Sequence, residues 1–412
     1  MTNKVTLSPI EAVDEYFDML IKSRFIEMFG DVYTGLTNYP LRYIKEFAKC
    51  VAGATPSTSV DDYWIDGTIP WMSSGEVNYG HVFETEKKIT QRGYDSCSTK
   101  LVPAHTVVIA LAGQGKTRGT AAIVEIELCT NQSICSIICD ESMNADYLYT
   151  SLKMQYDRIR SMSNGDGGRG GLNLKIIEKI QVISPPIQLQ NQFADFVKQV
   201  DKSKAICKKI FQSFDNLVKS RFIEMFSACN KAPLTELADI TMGQSPDSSA
   251  YNDQGIGVPF YQGKTEFTDT FVTVNKYCSK PKKMAKEMDI LMSVRAPVGA
   301  VNLTRQACCI GRGLVAITPK KDRTDVWFLF NALKTMEQQI SDMGVGSTFT
   351  AISKDDLMKI KIPVAPISLQ NQFSSFVKQV DKSKFIKNWY TVCNLMTGFN
   401  FLIDGYFKFY IL

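Results

Sequence analysis

Apolar and small residues recur at alternating steps of four and three along one long stretch of the chain. The positions are Leu189, Phe193, Phe196, Val200, Ser203, Cys207, Ile210, Phe214 and Leu217. This heptad spacing is typical of a helix that packs in a coiled coil. Pro185 and Pro186 lie just upstream, where a helix can begin but cannot extend backwards. We therefore predict a long central helix of about 57 Å, at about 1.5 Å per residue.

Two blocks of helical pattern occur twice. Residues 189–204 (LQNQFADFVKQVDKSK) return at 369–384 (LQNQFSSFVKQVDKSK), and residues 17–29 (FDMLIKSRFIEMF) return at 214–226 (FDNLVKSRFIEMF). The blocks run together in mid-chain and lie apart at the two ends. This order predicts pseudo-twofold symmetry, with an antiparallel partner for the central helix assembled from both termini. An ordinary pair of core helices is the alternative, although amphipathic packing does not require near-identical sequences.

Two segments between the helical blocks, residues 31–184 and 228–364, carry short β-branched runs. Gly, Pro, Asn and Ser separate these runs, as in strand-rich folds. The runs are residues 106–112, 121–126 and 134–139 in the first segment and 289–294, 299–303 and 314–317 in the second. The prediction is an α+β chain, in which two mixed α/β, strand-rich domains are separated by long antiparallel coiled-coil helices.

The predicted boundaries follow the repeats. They are an N-terminal repeated helix at 1–30, a first domain at 31–184, a central helix at 185–227, a second domain at 228–364, and a C-terminal repeated helix with its tail at 365–412. After Lys384 the last block stops following the central copy and becomes rich in aromatic residues.

Composition narrows the class of protein without identifying a partner. The chain has 412 residues, of which 44% are hydrophobic and 22% charged, as in folded globular proteins. A net charge of +5 is too weakly basic to indicate a nucleic-acid binder by itself. No apolar stretch of membrane-spanning length and no signal-peptide core is visible. We therefore expect a cytoplasmic protein with no membrane partner.

Catalytic and metal-binding patterns are missing from the sequence. The eleven cysteines form no C-x-x-C pair, and His81 and His105 are the only histidines, which argues against a zinc site. No nucleophile elbow, H-E-x-x-H motif or paired-carboxylate nuclease pattern occurs, and two histidines leave little for acid–base catalysis. The sequence favours a recognition protein over an enzyme.

Two glycine-rich stretches resemble nucleotide-binding loops only in part. Residues 113–117 (GQGKT) match the end of a P-loop, but Ala110 stands where that motif needs glycine, and a strand-like run follows. Residues 165–170 (GDGGRG) match G-x-G-x-x-G, but they follow a helical stretch where the dinucleotide motif requires a strand. Both are interpreted as turns, and Arg169 is a candidate phosphate contact.

Polar, aromatic and basic residues in turns of the two segments are candidates for contacting DNA. Direct readout uses Arg or Lys for guanine and Asn or Gln for adenine. The candidates are Tyr63, Trp64, Ser73, Ser74, Gln114, Lys116, Arg118 and Arg169 in the first segment, and Gln244, Gln262, Lys264, Arg295 and Arg312 in the second. For each of them the alternative is a solvated surface position, or a core position for the aromatic residues.

The segment boundaries resemble those of a known family. Residues 183–193 (ISPPIQLQNQF) and 361–373 (KIPVAPISLQNQF) look like the motif that closes a target recognition domain in Type I restriction–modification specificity subunits. Residues 168–174 (GRGGLNL), 53–57 (GATPS) and 243–247 (GQSPD) are also similar to that family. The resemblance covers nearly the whole chain.

This resemblance implies a division of labour. Each domain would read one half of a bipartite, asymmetric site in double-stranded DNA. The repeated helices would set the spacing and dock two methyltransferase subunits, with Phe196, Phe376, Arg24 and Arg221 as candidate docking residues. Restriction subunits, which combine motor and nuclease, would join them. S-adenosylmethionine, ATP and Mg²⁺ would belong to those partners, and this chain would carry no cofactor and no catalytic residue.

Two alternatives remain open at the level of sequence. The chain could be the specificity component of another restriction assembly, in which a single methylase–nuclease supplies the chemistry. It could also be a coiled-coil scaffold with two β-rich domains that bind proteins.

Overall fold

The structure is a computed structural model that describes residues 9–113, 115, 117–163, 171–343 and 351–398, with side chains for those between 12 and 384. The chain forms two compact units. The first unit is Tyr16–Ser203, and the second unit combines Met1–Glu15 with Lys204–Leu412. A helix of 40 residues, Ile187–Phe226, contributes its first part to one unit and its second part to the other. No glycine or proline interrupts this helix.

The first unit surrounds its core with short helices and strands, and the first helix begins just outside it. The helices are α1 Pro9–Phe29, α2 Gln91–Asp95, α3 Ala145–Met154, α4 Tyr156–Ser161 and α5 Leu174–Ile177. The strands are β1 Gly30–Asp31, β2 Leu36–Thr37, β3 Leu41–Tyr43, β4 Ala48–Ala52, β5 Ile69–Met72, β6 His81–Val82, β7 Lys87–Ile89, β8 Thr106–Ala110, β9 Ala121–Val124, β10 Cys129–Thr130, β11 Ile134–Cys139 and β12 Gln181–Ile183.

Two sheets of the first unit position its loops. The larger sheet has the strand order β4-β11-β8-β9-β6, and the smaller has the order β10-β5-β7. Strands β8 and β9 are buried along their whole length, because Val, Ile and Ala occupy both faces. The loop between β8 and β9 and the turn between β10 and β11 therefore emerge from a rigid base.

The second unit repeats this plan. Its helices are α6 Ile187–Phe226, α7 Leu234–Leu237, α8 Val326–Thr335, α9 Glu337–Met343, α10 Lys354–Lys359 and α11 Ile367–Gly398. Its strands are β13 Lys231–Pro233, β14 Ala238–Met242, β15 Tyr251–Asn252, β16 Val258–Tyr261, β17 Tyr277–Cys278, β18 Met284–Ala285, β19 Ile290–Ser293, β20 Val301–Leu303, β21 Cys308–Ile310, β22 Leu314–Pro319 and β23 Lys361–Pro363. The sheets have the orders β14-β22-β19-β20 and β15-β17-β16-β21-β18.

Each strand-rich domain enters and leaves through a two-stranded antiparallel ribbon. In the first unit β3 pairs with β12, and the Ser184 N–H donates to the Pro40 carbonyl at 2.9 Å. In the second unit β13 pairs with β23, and the Val364 N–H donates to the Asn230 carbonyl at 2.7 Å. The ends of each domain therefore lie side by side, as the ends of an insertion into a helical frame must.

A cluster of four aromatic rings joins the helices to the domain in each unit. The rings are Phe25, Phe29, Tyr147 and Phe193 in the first unit and Phe222, Phe226, Phe328 and Phe373 in the second. All eight side chains are buried. Three of the four rings in each cluster come from the repeated blocks, so the near-identity of these blocks preserves one packing solution twice.

A buried glutamine ties each repeated block to the domain that precedes it. The Gln370 side chain accepts a hydrogen bond from the Asp325 N–H (2.9 Å) and donates to the Ala365 carbonyl (2.8 Å). Gln190 makes the corresponding bonds with the loop before α3 and with the carbonyl of the proline five residues upstream. The first glutamine of the repeated LQNQF motif therefore fixes the start of the helix against the loop before α3 or α8.

Replacing Gln370 with Ala should lower the free energy of unfolding of the second unit by about 2–4 kcal/mol. The change leaves buried backbone N–H and C=O groups without a hydrogen-bond partner, and each such group costs roughly 1–3 kcal/mol. Urea unfolding followed by circular dichroism measures the loss. Gln372 is exposed two residues later, so Gln372→Ala is the matched control and should change stability by less than about 0.5 kcal/mol. Equal effects of the two substitutions would contradict this role.

The apolar seam predicted for the central helix is correct in its first half and wrong in its second. Phe193, Phe196, Val200, Ser203 and Cys207 are buried as predicted. Beyond Cys207 the buried positions move to Phe211 and Val218, and Leu217 is 47% exposed. A straight helix drifts by about 20° per heptad against a 3.5-residue repeat, so steps of four residues keep the seam facing its partner.

The fold class is confirmed as mixed α/β with strand-rich sheets and a long intervening helix. In the second unit the repeated helices run antiparallel, since Phe373 contacts Phe222 while Lys384 bonds to Asp215. Helix α11 continues past the end of the repeated block to Gly398, and the tail beyond it lies outside the described residues. Along the described chain, no helix has the length and apolar character required to cross a membrane.

Candidate nucleic-acid interface

An open basic concavity lies at one edge of the second unit. Its volume is about 170 Å³, and four of the five residues predicted in this domain line it: Gln262, Lys264, Arg295 and Arg312. Their side chains are exposed, whereas the strands that carry them are buried. Lys264 also approaches the Glu337 carboxylate at 3.9 Å. The lining side chains include three cations and no carboxylate, which suits an anionic or acceptor-rich ligand.

The turn Gly311-Arg312-Gly313 packs closely against this edge because its two glycines have no side chains. A Cβ at Gly313 would meet the Gln262 carbonyl oxygen at 2.5 Å, and one at Gly311 would lie 3.3 Å from the Ser245 hydroxyl oxygen. The Arg312 N–H donates to that hydroxyl at 3.2 Å. The backbone of Arg312 is thus held from both sides while its guanidinium group faces solvent.

Gln244, the fifth predicted residue of this domain, lies on the loop that supports the turn. Its N–H donates to the Ile310 carbonyl at 3.0 Å, and its side chain is exposed. Gly243 precedes it, where a Cβ would come within 2.1 Å of the Gly311 carbonyl oxygen. The close approach of two backbones explains glycine at this position and brings Gln244 beside the basic turn.

The first unit builds the same edge with matching backbone hydrogen bonds. In the first unit the bonds run from Ala54 N to Thr130 O, from Asn131 N to Met72 O, from Leu111 N to Ser133 O, and from Leu172 N to Leu111 O. Their counterparts in the second unit, in the same order, run from Gln244 N to Ile310 O, from Gly311 N to Tyr261 O, from Val294 N to Gly313 O, and from Ile352 N to Val294 O. All eight bonds are 2.8–3.0 Å long. These pairs place Gln132 where the second unit has Arg312, and Ala112 where it has Arg295.

The two serines predicted in the first unit, Ser73 and Ser74, are half-buried in the segment that follows β5. Ser73 precedes a 3-10 turn, Ser74–Tyr79, and its N–H donates to the Glu76 carboxylate at 2.5 Å.

The Arg118 carbonyl accepts a hydrogen bond from the Arg160 guanidinium at 3.4 Å, and the Arg118 side chain is half-buried. Gln114, Lys116 and Arg169 lie outside the described residues.

The predicted aromatic contacts of the first unit belong to a small core. The Trp64 ring packs edge-on against Trp71 with centroids 5.1 Å apart, and its indole N–H donates to the Ser57 carbonyl at 3.0 Å. Tyr63 is half-buried, and its carbonyl oxygen accepts a hydrogen bond from the Thr90 N–H. The structure therefore gives both residues a packing role that supports the 53–57 loop, which is the alternative considered for aromatic residues.

Sequence reasoning missed Gln132. This exposed side chain lies in the turn Asn131–Ser133, and its amide oxygen accepts a hydrogen bond from the Thr55 hydroxyl. The turn carries no basic residue, which is why it drew no attention. The useful signal is its place after a buried strand, opposite the Gly53–Thr55 loop that resembles Gly243–Ser245.

The predicted docking residues fall into two groups. Phe196 is 8% exposed and packs on Phe193 at 6.2 Å between ring centroids, and Phe376 is half-buried. A buried ring reaches a partner only through its effect on the helix, so any role for Phe196 in docking is indirect. Arg24 and Arg221 lie on the outer helix surface, where each bonds to a glutamate three residues later (2.9 and 2.7 Å).

The cysteine thiols near this edge are buried, and the two histidine rings lie away from it. Burial raises the pKa of the Cys129 thiol to about 11 and that of Cys308 to about 12, so both stay protonated and non-nucleophilic at neutral pH. His81 and His105 both contact the Glu125 carboxylate (2.7 and 3.3 Å), at the opposite end of β8 and β9 from the edge loops. Among the described residues, no group of three or more His, Cys, Asp and Glu fits a metal ion.

Comparison with known proteins agrees with this organisation. The sequence model of the Type I restriction modification DNA specificity domain matches residues 38–213 and 229–389, once for each domain with its following helix. A solved chain from a study of complex assembly and conformational transition of the Type I restriction–modification system shares the fold. It aligns with a TM-score of 0.53 and 24% identity over 87% of this chain and 94% of its own.

The curated relatives carry consistent names. The putative Type I restriction enzyme MjaX specificity subunit of Methanocaldococcus jannaschii is 33% identical over 52% of this chain. The MjaVIII specificity subunit of that organism is 22% identical over 84% of this chain and 86% of its own length. The chain spans about half the length of the first two curated relatives it matches, 55% and 42%.

Each of these curated relatives is named as a specificity subunit, in agreement with the prediction of a recognition component in place of an enzyme. The two family matches together cover most of the sequence and coincide with the two repeated domain-and-helix segments. The resemblance read from the boundary motifs is thereby confirmed, and the chain belongs to the Type I restriction–modification DNA specificity family.

Proposed function

We propose that this chain is the DNA-sequence specificity subunit of a Type I restriction–modification complex, and that its two units read the two halves of a bipartite, asymmetric target. One observation carries the proposal. The helical frame and the backbone of the edge are the same in both units, while the exposed side chains on that edge differ. Gln132 occupies the position that Arg312 has in the second unit, and Ala112 occupies the position that Arg295 has there.

A constant frame with variable edges suits a reader of two different sequences. Phosphate and sugar are the same along every duplex, whereas base edges differ. Two readers in pseudo-twofold relation would present their edges to half-sites about one helical turn apart, roughly 34–36 Å. Because the two edges carry different side chains, the half-sites would differ and the whole target would not be palindromic.

The repeated helix surface supports docking of two copies of one partner. Ile26 and Ile223 are exposed apolar residues at the same place in the repeated block, and each is flanked by the same Arg–Glu pair. An identical patch presented twice fits two identical subunits. We assign these positions to the two methyltransferase subunits, to which restriction subunits would add.

In this proposal the chemistry belongs to the partners. S-adenosylmethionine, ATP and Mg²⁺ would bind to the methyltransferase and restriction subunits, and this chain would contribute recognition in the cytoplasm, where it meets DNA. The basic concavity offers donors for nucleic acid, and the pKa-shifted thiols beneath the two edges offer no nucleophile.

The purified chain alone should transfer no methyl group from S-adenosylmethionine, cleave no DNA and hydrolyse no ATP. Co-purified with a methyltransferase subunit of its Type I complex, the chain should direct methylation to one duplex sequence. Its affinity for DNA should fall at least about a hundred-fold between 50 and 200 mM salt, through counterion release. Methylation by the lone chain would contradict the proposal.

The alternative of a protein-binding scaffold makes the opposite prediction. A complex that assembles normally but binds all duplexes equally, with no dependence on base sequence, would favour the scaffold. Fluorescence anisotropy with duplexes of matched length and different sequence distinguishes the two functions.

A further inference from the structure

We infer that Arg312 reads a guanine in one half-site and that Gln132, its counterpart in the first unit, reads an adenine in the other. This inference rests on the proposed function and deepens it, since it assigns a base to one named side chain in each unit. The residues occupy matched turns between β10 and β11 and between β21 and β22.

The difference between the two residues separates base contact from phosphate contact. A contact to the DNA backbone carries no sequence information, so it gives no reason for the side-chain type to change between the two units. The turn positions instead hold a cation in one unit and a neutral amide in the other, on the same backbone. A side chain that changes its hydrogen-bonding character while its support stays constant is placed to distinguish bases.

Backbone hydrogen bonds anchor the turn that carries Arg312. The Gly311 N–H donates to the Tyr261 carbonyl at 2.8 Å, and the Arg312 N–H donates to the Ser245 hydroxyl at 3.2 Å. Tyr261 is itself buried. The anchored backbone fixes the point from which the guanidinium group extends, and the planar fork of that group matches the O6 and N7 acceptors of guanine in the major groove.

The other two cations of the concavity are weaker candidates for a base contact common to both units. Lys264 ends in a flexible point charge that already approaches Glu337 at 3.9 Å. Arg295 stands where the first unit has Ala112, which has no side-chain donor, so that position is not a base reader common to both units. Of the two matched pairs, 112/295 and 132/312, the second is the one at which both units offer a side chain able to form two hydrogen bonds with a purine.

Gln132 carries the groups that an adenine contact needs. Its amide oxygen accepts a hydrogen bond from the Thr55 hydroxyl, and the Ser133 N–H donates to the Asn131 side chain at 3.0 Å, which tightens the turn. The amide oxygen keeps a second lone pair for the N6 amino group of adenine, and the amide nitrogen is a donor for N7. Gln132 therefore carries the donor–acceptor pair that matches the major-groove edge of adenine.

The test exchanges the two side chains in the full chain, co-purified with its methyltransferase. The modified sequence is first mapped for the wild type, and binding is then measured to duplexes that vary each target position to all four base pairs. Arg312→Gln should lose the preference for guanine at one position of one half-site, by roughly 10- to 100-fold, and shift it toward adenine. Gln132→Arg should do the converse in the other half-site.

Arg323→Gln is the matched control. It removes the same charge from the second unit at the far end of β22, where Arg323 lies 3.8 Å from Asp322 and away from the concavity. This variant should retain the wild-type preference at every position. Thermal unfolding and co-purification verify that all three variants fold and assemble.

The outcomes separate failure of the inference from failure of the proposed function. If the wild type prefers no sequence, the proposed function fails. If the wild type is specific and Arg312→Gln binds every duplex more weakly by the same factor, Arg312 contacts phosphate and the inference is overturned. An unchanged preference in both exchange variants overturns it as well, and so does loss of preference at all positions together.

Discussion

Replacing Phe222 with Asp will unfold the second unit. The Phe222 ring is 5% exposed and lies 5.0–5.6 Å from the rings of Phe226, Phe328 and Phe373. The substitution removes a core aromatic side chain, which costs about 3–5 kcal/mol, and buries a carboxylate without a partner, which adds several more. This loss approaches the whole stability of a typical domain. Thermal unfolding followed by circular dichroism, with urea titration of any folded fraction, measures it.

The neighbouring residue is the control. Ile223 is 49% exposed, so Ile223→Asp should lower the free energy of unfolding by only about 1 kcal/mol, from lower helix propensity and a negative charge in the last helical turn. Under the proposed docking, the same variant should weaken assembly with the methyltransferase. Equal stability of the two variants would show that the ring cluster is misassigned. If the double variant Ile26→Asp and Ile223→Asp still assembled fully with the methyltransferase, this surface would not be the docking site.

Exchanging residues 38–184 for the matching segment of another family member will change one half of the DNA target and leave the other half intact. The cut points lie side by side on the ribbon of β3 and β12, where Ser184 bonds to Pro40. The exchanged domain can therefore keep its junction with the helical frame. Each base pair of the old half-site should lose roughly 1–3 kcal/mol of preference. Methylation mapping in a host that lacks other methylases measures the new target.

The reciprocal exchange is the control. Residues 230–364 are closed by the ribbon of β13 and β23 in the same way, and replacing them should change the other half-site only. The buried glutamine and the ring cluster must remain compatible with the incoming domain, since Tyr147 or Phe328 comes with it. An exchange that altered both halves together would contradict independent reading.

The frame was predictable because it is repeated and periodic. The repeated blocks indicated the central helix, and residues 134–139 coincide with β11. The phase error at Leu217 arose because a 3.5-residue repeat was extended beyond the length over which a straight helix follows it. The strand order β4-β11-β8-β9-β6 was out of reach, because buried strands of Val, Ile and Ala carry similar apolar runs whatever their neighbours.

The site was predictable where residue type itself points to DNA. Arg295 and Arg312 stood out as cations in glycine- or proline-containing turns, and the structure brings them into one concavity with Gln262 and Lys264. Gln132 could not be found in this way, because its place on the edge depends on which loop the sheet order brings beside it. For Trp64 the sequence left a DNA contact and a core position both open, because its exposure depends on packing against Trp71, which residue type does not reveal.

The measurement that tests the central claim most directly is the map of bases modified by the wild-type chain with its methyltransferase, in a host without other methylases. We predict one target made of two short defined sequences separated by a spacer of fixed length, with halves that differ and do not form a palindrome. A single uninterrupted target, or two identical half-sites in inverted orientation, would contradict reading by two different units.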